Sequence, residues 1–302
     1  MPRATRYDML ALDLDGTLLD RAGRVSEANR RAVADARGAG MRVVVCTGRG
    51  LAECRHAVEA IGQRDPVVVA GGAIIACPET SRTLHRAAID PSIVEHAVTV
   101  VLDQGHAALV LKDPAEAGYD YLVVRGAHGA ALDPVTEWWF ASMNVRTREV
   151  ARLGDDPHPE HTVRVGACGV SSRMASVKAT LHASFRDEVI IHHFGAVVAP
   201  EDVSRVSEGG RAETLHVLEV FDRTATKWSA ITRLAGQFGT EQSRIAAIGD
   251  EINDVDMIAG AGLGIAMGNA IPAVRAAARR ETRRNDEDGV AHAVARILTG
   301  EW

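Results

Sequence analysis

Apolar positions along this chain fall into two rhythms. Residues 9–14, 41–46 and 66–70 are short, nearly continuous apolar runs. Such runs are the pattern of strands buried on both faces of a parallel sheet. Between the first two, Ser26 is placed to cap a helix that Gly38 and Gly40 close. A second helix is predicted over about 51–61. Strand and helix in alternation predict an open, mostly parallel sheet. The same rhythm returns near residue 227. A helix starts at Lys227, a strand spans 244–248, and a helix runs through Met257 and Ile258. A strand then spans 263–267, a helix opens at Ile271-Pro272, and a last helix lies near 290–298, after a charged, exposed stretch at 281–288.

Between residues 83 and 206 the rhythm changes. Strands come in neighbouring pairs, 106–112 with 119–125, and then 162–170 and 188–193. Helices start at Asp90-Pro91 and Asp133-Pro134 and span 172–185. This pattern predicts an α+β module with an antiparallel sheet. Residues 198–212, rich in Glu, Ser, Gly and Arg, read as an exposed loop. The expected protein is therefore α/β. A Rossmann-like, doubly wound parallel sheet core holds residues 1–82 and 207–302, and an α+β cap domain over residues 83–206 is inserted into it. A strand at 215–221 is alternatively the last of the cap, which carries the cap to about residue 221.

Candidate chemistry gathers where strands hand over to helices, the edge of an α/β sheet where ligands bind. Asp13 and Asp15 arrive at the end of the first run. Two close carboxylates repel, so a cation or a shared proton belongs between them. Magnesium, with its oxygen ligands, meets that need. The alternative is a plain turn. Thr47-Gly48-Arg49-Gly50 places a hydroxyl and small residues before a helix start, which favours an anion; the alternative for Thr47 is a helix cap. Lys227 opposes the dipole of the helix it opens, so an anion or carboxylate belongs beside it, unless it is a solvated lysine. Asp250 and Asp254 flank a further strand-to-helix turn, where acidic groups also suit a helix N-terminus. Brought to one sheet edge, these groups form an acidic pocket for one magnesium ion and one phosphoryl group.

Composition narrows the picture. The 302 residues suggest two domains, and 46% hydrophobic with 25% charged residues is ordinary for a globular protein. A net charge of −6 without a basic run argues against nucleic acid as a partner. No apolar stretch reaches the length of a membrane span, and from its charged start the chain is expected to carry no signal peptide. Four cysteines without zinc or disulfide spacing fit a reducing cytoplasm. His158-Pro159-Glu160-His161 has only a faint likeness to a metal pair, lies in a proline-containing loop, and is read as no metal site.

The sequence resembles the haloacid dehalogenase superfamily of phosphohydrolases, and more narrowly its Cof-type branch, whose large α/β cap is inserted between the second and third motifs. The resemblance rests on Asp13-Leu14-Asp15-Gly16-Thr17-Leu18-Leu19, Thr47-Gly48-Arg49, Lys227, and Gly249-Asp250-Glu251-Ile252-Asn253-Asp254-Val255-Asp256-Met257. Gly71 stands where the branch usually has asparagine, and Trp228 where glycine is common. The resemblance implies a Mg2+-dependent phosphatase acting on a small phosphate ester, such as a sugar phosphate, through an aspartyl-phosphate intermediate. Asp13 would be the nucleophile and Asp15 the acid and base. Asp13, the backbone carbonyl of Asp15 and Asp250 would hold the metal, with Asp254 anchoring its waters or Lys227. Thr47, Gly48, Lys227 and Asn253 would bind phosphate. The cap would act as a lid, with Arg49, Lys112, Arg125, His192 and His193 as candidates for reading the leaving group. Two alternatives are a phosphosugar mutase and a non-catalytic phospho-accepting regulator or binding protein. No nucleic-acid or membrane partner is expected, and the chain would be a monomer or homodimer.

Overall fold

The computed structural model describes residues 5–196, 201–208 and 211–302. The chain divides into two units. One holds the residues up to His85 and those from Thr226 onward; the other is Arg86–Ala225.

In the first unit a five-stranded parallel sheet has the order Arg280–Glu281, Leu263–Ala266, Ile245–Gly249, Met9–Leu12, Arg42–Val45. Every residue of Met9–Leu12 and Ile245–Gly249 is buried, as expected of strands in a parallel sheet covered on both faces. Leu12 lies level with both Ile248 and Val45. The strand following Met9–Leu12 in sequence lies on one side of it, and the later strands lie on the other. The winding thus reverses at Met9–Leu12, whose carboxyl end faces the crevice where such sheets bind ligands. The first helix, Glu27–Gly38, is capped as expected, with Ser26 Oγ accepting from the Asn29 N–H at 3.1 Å.

The third apolar run departs from expectation. Val67–Val69 pairs antiparallel with Ile74–Ala76, in a separate three-stranded sheet that ends with Thr83–Arg86. A single parallel bridge, Cys46 to Val68, joins it to the strand before it. The reason lies in Ala70-Gly71-Gly72, whose φ values of +50°, +66° and +109° reverse the chain at once. With no crossover helix, the next strand can only return antiparallel.

The second unit is built on a seven-stranded sheet. Its order is Val189–Gly195, Arg211–Asp222, Thr162–Val170, Ala108–Lys112, Tyr121–Val124, Thr147–Val150, with Arg205–Glu208 paired to Arg211–Asp222. All pairings are antiparallel except Tyr121–Val124 with Thr147–Val150. Helices Pro91–Asp103 and Ser171–Phe185 contribute Val94, Val98, Val101, Met174, Val177 and Leu181 to its core. The strand Arg211–Asp222 pairs with strands of this unit on both sides, so the return to the first unit falls between 225 and 226. The loop expected over 198–212 is corrected where the structure describes it. Glu201–Ser204 is a helical turn, and Arg205–Glu208 is an edge strand. An edge strand tolerates charged, solvated residues, and its composition therefore imitates a loop. Part of that expected loop, 198–200 and 209–210, lies outside the described residues. Among the described residues no helix is long and apolar enough to cross a membrane.

Candidate active site

Asp13 follows directly on the buried strand Met9–Leu12, and its N–H donates to the Ile248 carbonyl at 3.1 Å. The chain then leaves the sheet in the helical turn Leu14–Leu18, which is broken at Asp15 and Gly16. Gly16 has φ +74°, and a Cβ there would stand 2.1 Å from Asp250 Oδ2. Glycine thus lets this turn close on the neighbouring strand end. The buried Thr17 donates through Oγ1 to Asp250 Oδ1 at 3.0 Å. Asn269 Nδ2 donates to the Gly16 carbonyl at 2.8 Å and to Asp250 Oδ2 at 3.1 Å. Both oxygens of Asp250 are therefore oriented. Asp254 Oδ2 accepts the N–H groups of Asp250 and Glu251 at 3.0 and 3.1 Å, which is the helix-start role that acidic residues favour. Its Oδ1 remains for Lys227.

Lys227 opens the helix Lys227–Phe238, capped by Thr226, whose Oγ1 accepts from the Ser229 N–H at 2.9 Å. The lysine is 1% exposed. Its Nζ donates to Asp13 Oδ1 and Asp254 Oδ1, both at 2.7 Å, and to Asn253 Oδ1 at 3.2 Å. Two carboxylates thus offset both the opposing helix dipole and the loss of hydration. Gly72 sets where this helix begins, because a Cβ on it would stand 2.1 Å from the Thr226 carbonyl oxygen. Trp228 leaves the helix start regular; its ring lies over Gly260, where a Cβ would come within 2.3 Å of it.

The electrostatics follow from that crowding. Burial, then the Asp254 carboxylate, push Asp13 well above the usual carboxylate range, although Lys227 opposes the shift. Burial and Asp254 also raise Asp250, to about 7. Burial works against the Lys227 ammonium, yet Asp13 and Asp254 hold it above the ordinary lysine value. Asp13 Oδ2 is buried and has no hydrogen-bond partner. Asp13, Asp250 and Asp254 each offer an oxygen, and these oxygens lie within 4.8 Å of one another.

The other expected residues fall into two groups. Thr47 is buried at the next strand end, where its Oγ1 accepts from the Arg49 N–H at 3.1 Å. Gly48 lies beside Asn253, whose Nδ2 would be 3.6 Å from a Cβ at position 48. Arg49, expected to touch substrate, instead grips Asp15, with Nε to Oδ2 at 2.8 Å and a terminal nitrogen to Oδ1 at 2.5 Å. Its side chain is 4% exposed. Lys112 requires a correction. It is fully buried inside the second unit, where its ammonium meets Asp156, the His158 carbonyl and Thr162 Oγ1. Burial and these partners remove it from any leaving group. Arg125 pairs with Glu149 at 2.8 and 2.9 Å. His193 Nε2 lies 3.0 Å from His216 Nδ1, and His192 lies opposite Glu219 in the neighbouring strand. The sequence pattern assigns Thr17 and Asn269 no role of their own. The available signal was positional, since Asn269 stands just past the carboxyl end of a parallel strand.

A family model described as haloacid dehalogenase-like hydrolase matches residues 10–156 and 201–294. The chain is 31% identical to the phosphatase YwpJ of Bacillus subtilis, over 96% of this chain and 99% of that protein. It is 26% identical to the Bacillus subtilis 5-amino-6-(5-phospho-D-ribitylamino)uracil phosphatase YwtE, over 97% of this chain and 99% of the relative. A haloacid dehalogenase-like hydrolase from Bacteroides thetaiotaomicron shares the fold, with a TM-score of 0.76 and 24% identity over 96% of this chain and 99% of the other.

Proposed function

The chain belongs to the haloacid dehalogenase-like hydrolases and is a phosphoric monoester hydrolase, and from that premise we propose that it is a magnesium-dependent phosphatase of a small phosphorylated metabolite, working through an aspartyl-phosphate. One observation carries this reading. Asp13 has one carboxylate oxygen fixed by Lys227 and the other buried without a partner. An oxygen left out of hydrogen bonding keeps its lone pairs for phosphorus or for a metal.

The donor set fits a divalent cation. Asp13, Asp250 and Asp254 face a single ammonium, so negative charge is in excess in a buried space. An all-oxygen, carboxylate-rich set suits magnesium rather than softer metals. Asp13, Asp250 and the Asp15 carbonyl would hold it, with Asp254 behind. When bound, the ion neutralises charge on the transferring phosphoryl group.

The chain's own groups account for the remaining chemistry. Asp13 attacks phosphorus in line and breaks the bond to the leaving oxygen. Asp15, oriented by Arg49, gives that oxygen a proton and then takes one from the water that cleaves the acyl phosphate. Inorganic phosphate departs and Asp13 is regenerated. Lys227, Thr47, Gly48 and Asn253 surround the transferring oxygens. Lys227 and Thr47 are buried and held in place, and pre-oriented groups of this kind need little reorganisation, which is how such sites lower a barrier.

The relative named for a phosphorylated ribitylamino-uracil supports a sugar- or polyol-phosphate substrate. The test is release of inorganic phosphate across a panel of sugar, polyol and nucleoside monophosphates, with magnesium and with a chelator. Hydrolysis that stops with chelator and returns with magnesium is expected. Equal rates under both conditions would overturn the metal assignment, and phosphate moved only onto sugar hydroxyls would point to a mutase.

A further inference from the structure

A second cluster of metal-ligating side chains lies in the second unit, apart from the carboxylates around Asp13. His158, Glu160 and His161 each offer a ligand atom, all within 4.8 Å of one another. The proline that made this stretch read as a plain loop opens a single turn of 3-10 helix, Pro159–His161. His158 caps this turn from just outside it, and its ring centroid lies 5.8 Å from that of His161.

The backbone beneath these side chains is firmly held. The buried Lys112 donates to the His158 carbonyl at 3.1 Å and to Thr162 Oγ1 at 2.7 Å. The His158 N–H donates to Asp156 Oδ1 at 3.0 Å, and the Asp113 N–H to the His161 carbonyl at 2.8 Å. Asp156, paired with Lys112, offsets the nearby ammonium. Glu160 Oε1 and His161 Nε2 are 3.1 Å apart. Two ligands each about 2.0–2.2 Å from one ion stand about 3–3.5 Å apart, so this pair already has the spacing of one edge of a coordination shell. His161 Nδ1 is buried with no hydrogen-bond partner, so this nitrogen of the ring carries no competing bond.

We propose that His158, Glu160 and His161 bind one divalent transition-metal ion of the zinc class, with water completing its shell. A rotation of the His158 ring toward the Glu160–His161 pair closes the site. Two imidazoles and one carboxylate favour zinc, nickel or copper over magnesium, so this site and the acidic site sort different ions. Bound there, the ion would cross-link the segment that leads into the central strand Thr162–Val170.

The experiment is a calorimetric titration of zinc chloride into the full chain near pH 7.5, held in excess magnesium so that the acidic site is filled. The wild-type chain is expected to take up one zinc ion and to gain thermal stability from it. His158→Gln combined with His161→Gln should weaken that uptake by at least about tenfold. Glu160→Gln, a change at an exposed side chain that leaves the packing intact, should weaken it as well. Magnesium-supported phosphate release without zinc should match wild type in both variants. No zinc uptake by the wild-type chain, or the same isotherm in wild type and both variants, would overturn the proposal.

Discussion

Lys227 Nζ and Asp13 Oδ1 stand 2.7 Å apart, although 214 positions separate them in sequence. The lysine shares itself equally with Asp254 Oδ1, also at 2.7 Å. Lys227→Met would therefore leave two buried carboxylates without their cation. Breaking a buried pair in this way costs about 3–5 kcal/mol. We expect a lower thermal midpoint for Lys227→Met in chelator, partly recovered by magnesium, and loss of turnover. An unchanged midpoint would show that the pair does not stabilise the unit.

Asp15 is held by two bonds from Arg49 at a strand end. Its proposed work is proton transfer, which contributes about 10²–10⁴ in rate. Asp15→Asn should lower kcat/KM, which reports transfer to Asp13 and not the later attack by water, by that amount for alkyl phosphates such as sugar phosphates. The loss should be much smaller for p-nitrophenyl phosphate, whose leaving group needs no proton. Equal losses for both esters would contradict the acid role.

Thr17 and Asn269 orient the two oxygens of Asp250. Groups that orient a ligating carboxylate usually account for about 10–100-fold in metal affinity. Thr17→Val should raise the magnesium concentration for half-maximal activity by about that factor, with kcat at saturating magnesium nearly retained. Thr17→Ser should restore it. A change in kcat without a change in magnesium dependence would place Thr17 in another role.

Part of this arrangement is legible in the pattern of residues. Short buried runs located the strand ends at Asp13, Thr47 and Asp250, because a parallel sheet gathers those ends on one edge. Lys227 stood out because its charge opposes its helix. What stayed hidden depended on chain reversals that no local pattern encodes. Lys112 read as a polar residue at a strand end, open to a ligand; only the fold brings Asp156 back to bury it. Val67–Val69 read as a third parallel strand, because a three-residue run cannot reveal that Gly71 and Gly72 turn the chain straight back. Arg49 looked available to substrate because its partner, Asp15, lies 34 positions earlier.

His193 and His216 make a different kind of prediction. They lie 3.0 Å apart on neighbouring strands of the second unit. Burial lowers both below the ordinary value of 6.5, and for His193 the nearby His216 and Lys178 add to the effect. The unfolded chain therefore takes up protons before the folded one as pH falls. The stabilising contribution is complete above about 6.5 and is lost as pH drops through the lowered folded values. The thermal midpoint of wild type should fall between pH 7.5 and 5 by more than that of His193→Gln. Parallel pH dependence in the two chains would contradict the effect.

The central claim is that the Asp13 carboxylate takes the phosphoryl group. Mass spectrometry of peptides from enzyme acid-quenched during steady turnover tests it most directly. The account predicts one added phosphoryl group on the peptide carrying Asp13, absent when the substrate is omitted and absent in a correctly folded Asp13→Asn chain that no longer turns over. Undiminished phosphate release by Asp13→Asn, or a phosphoryl group found on another residue, would contradict it.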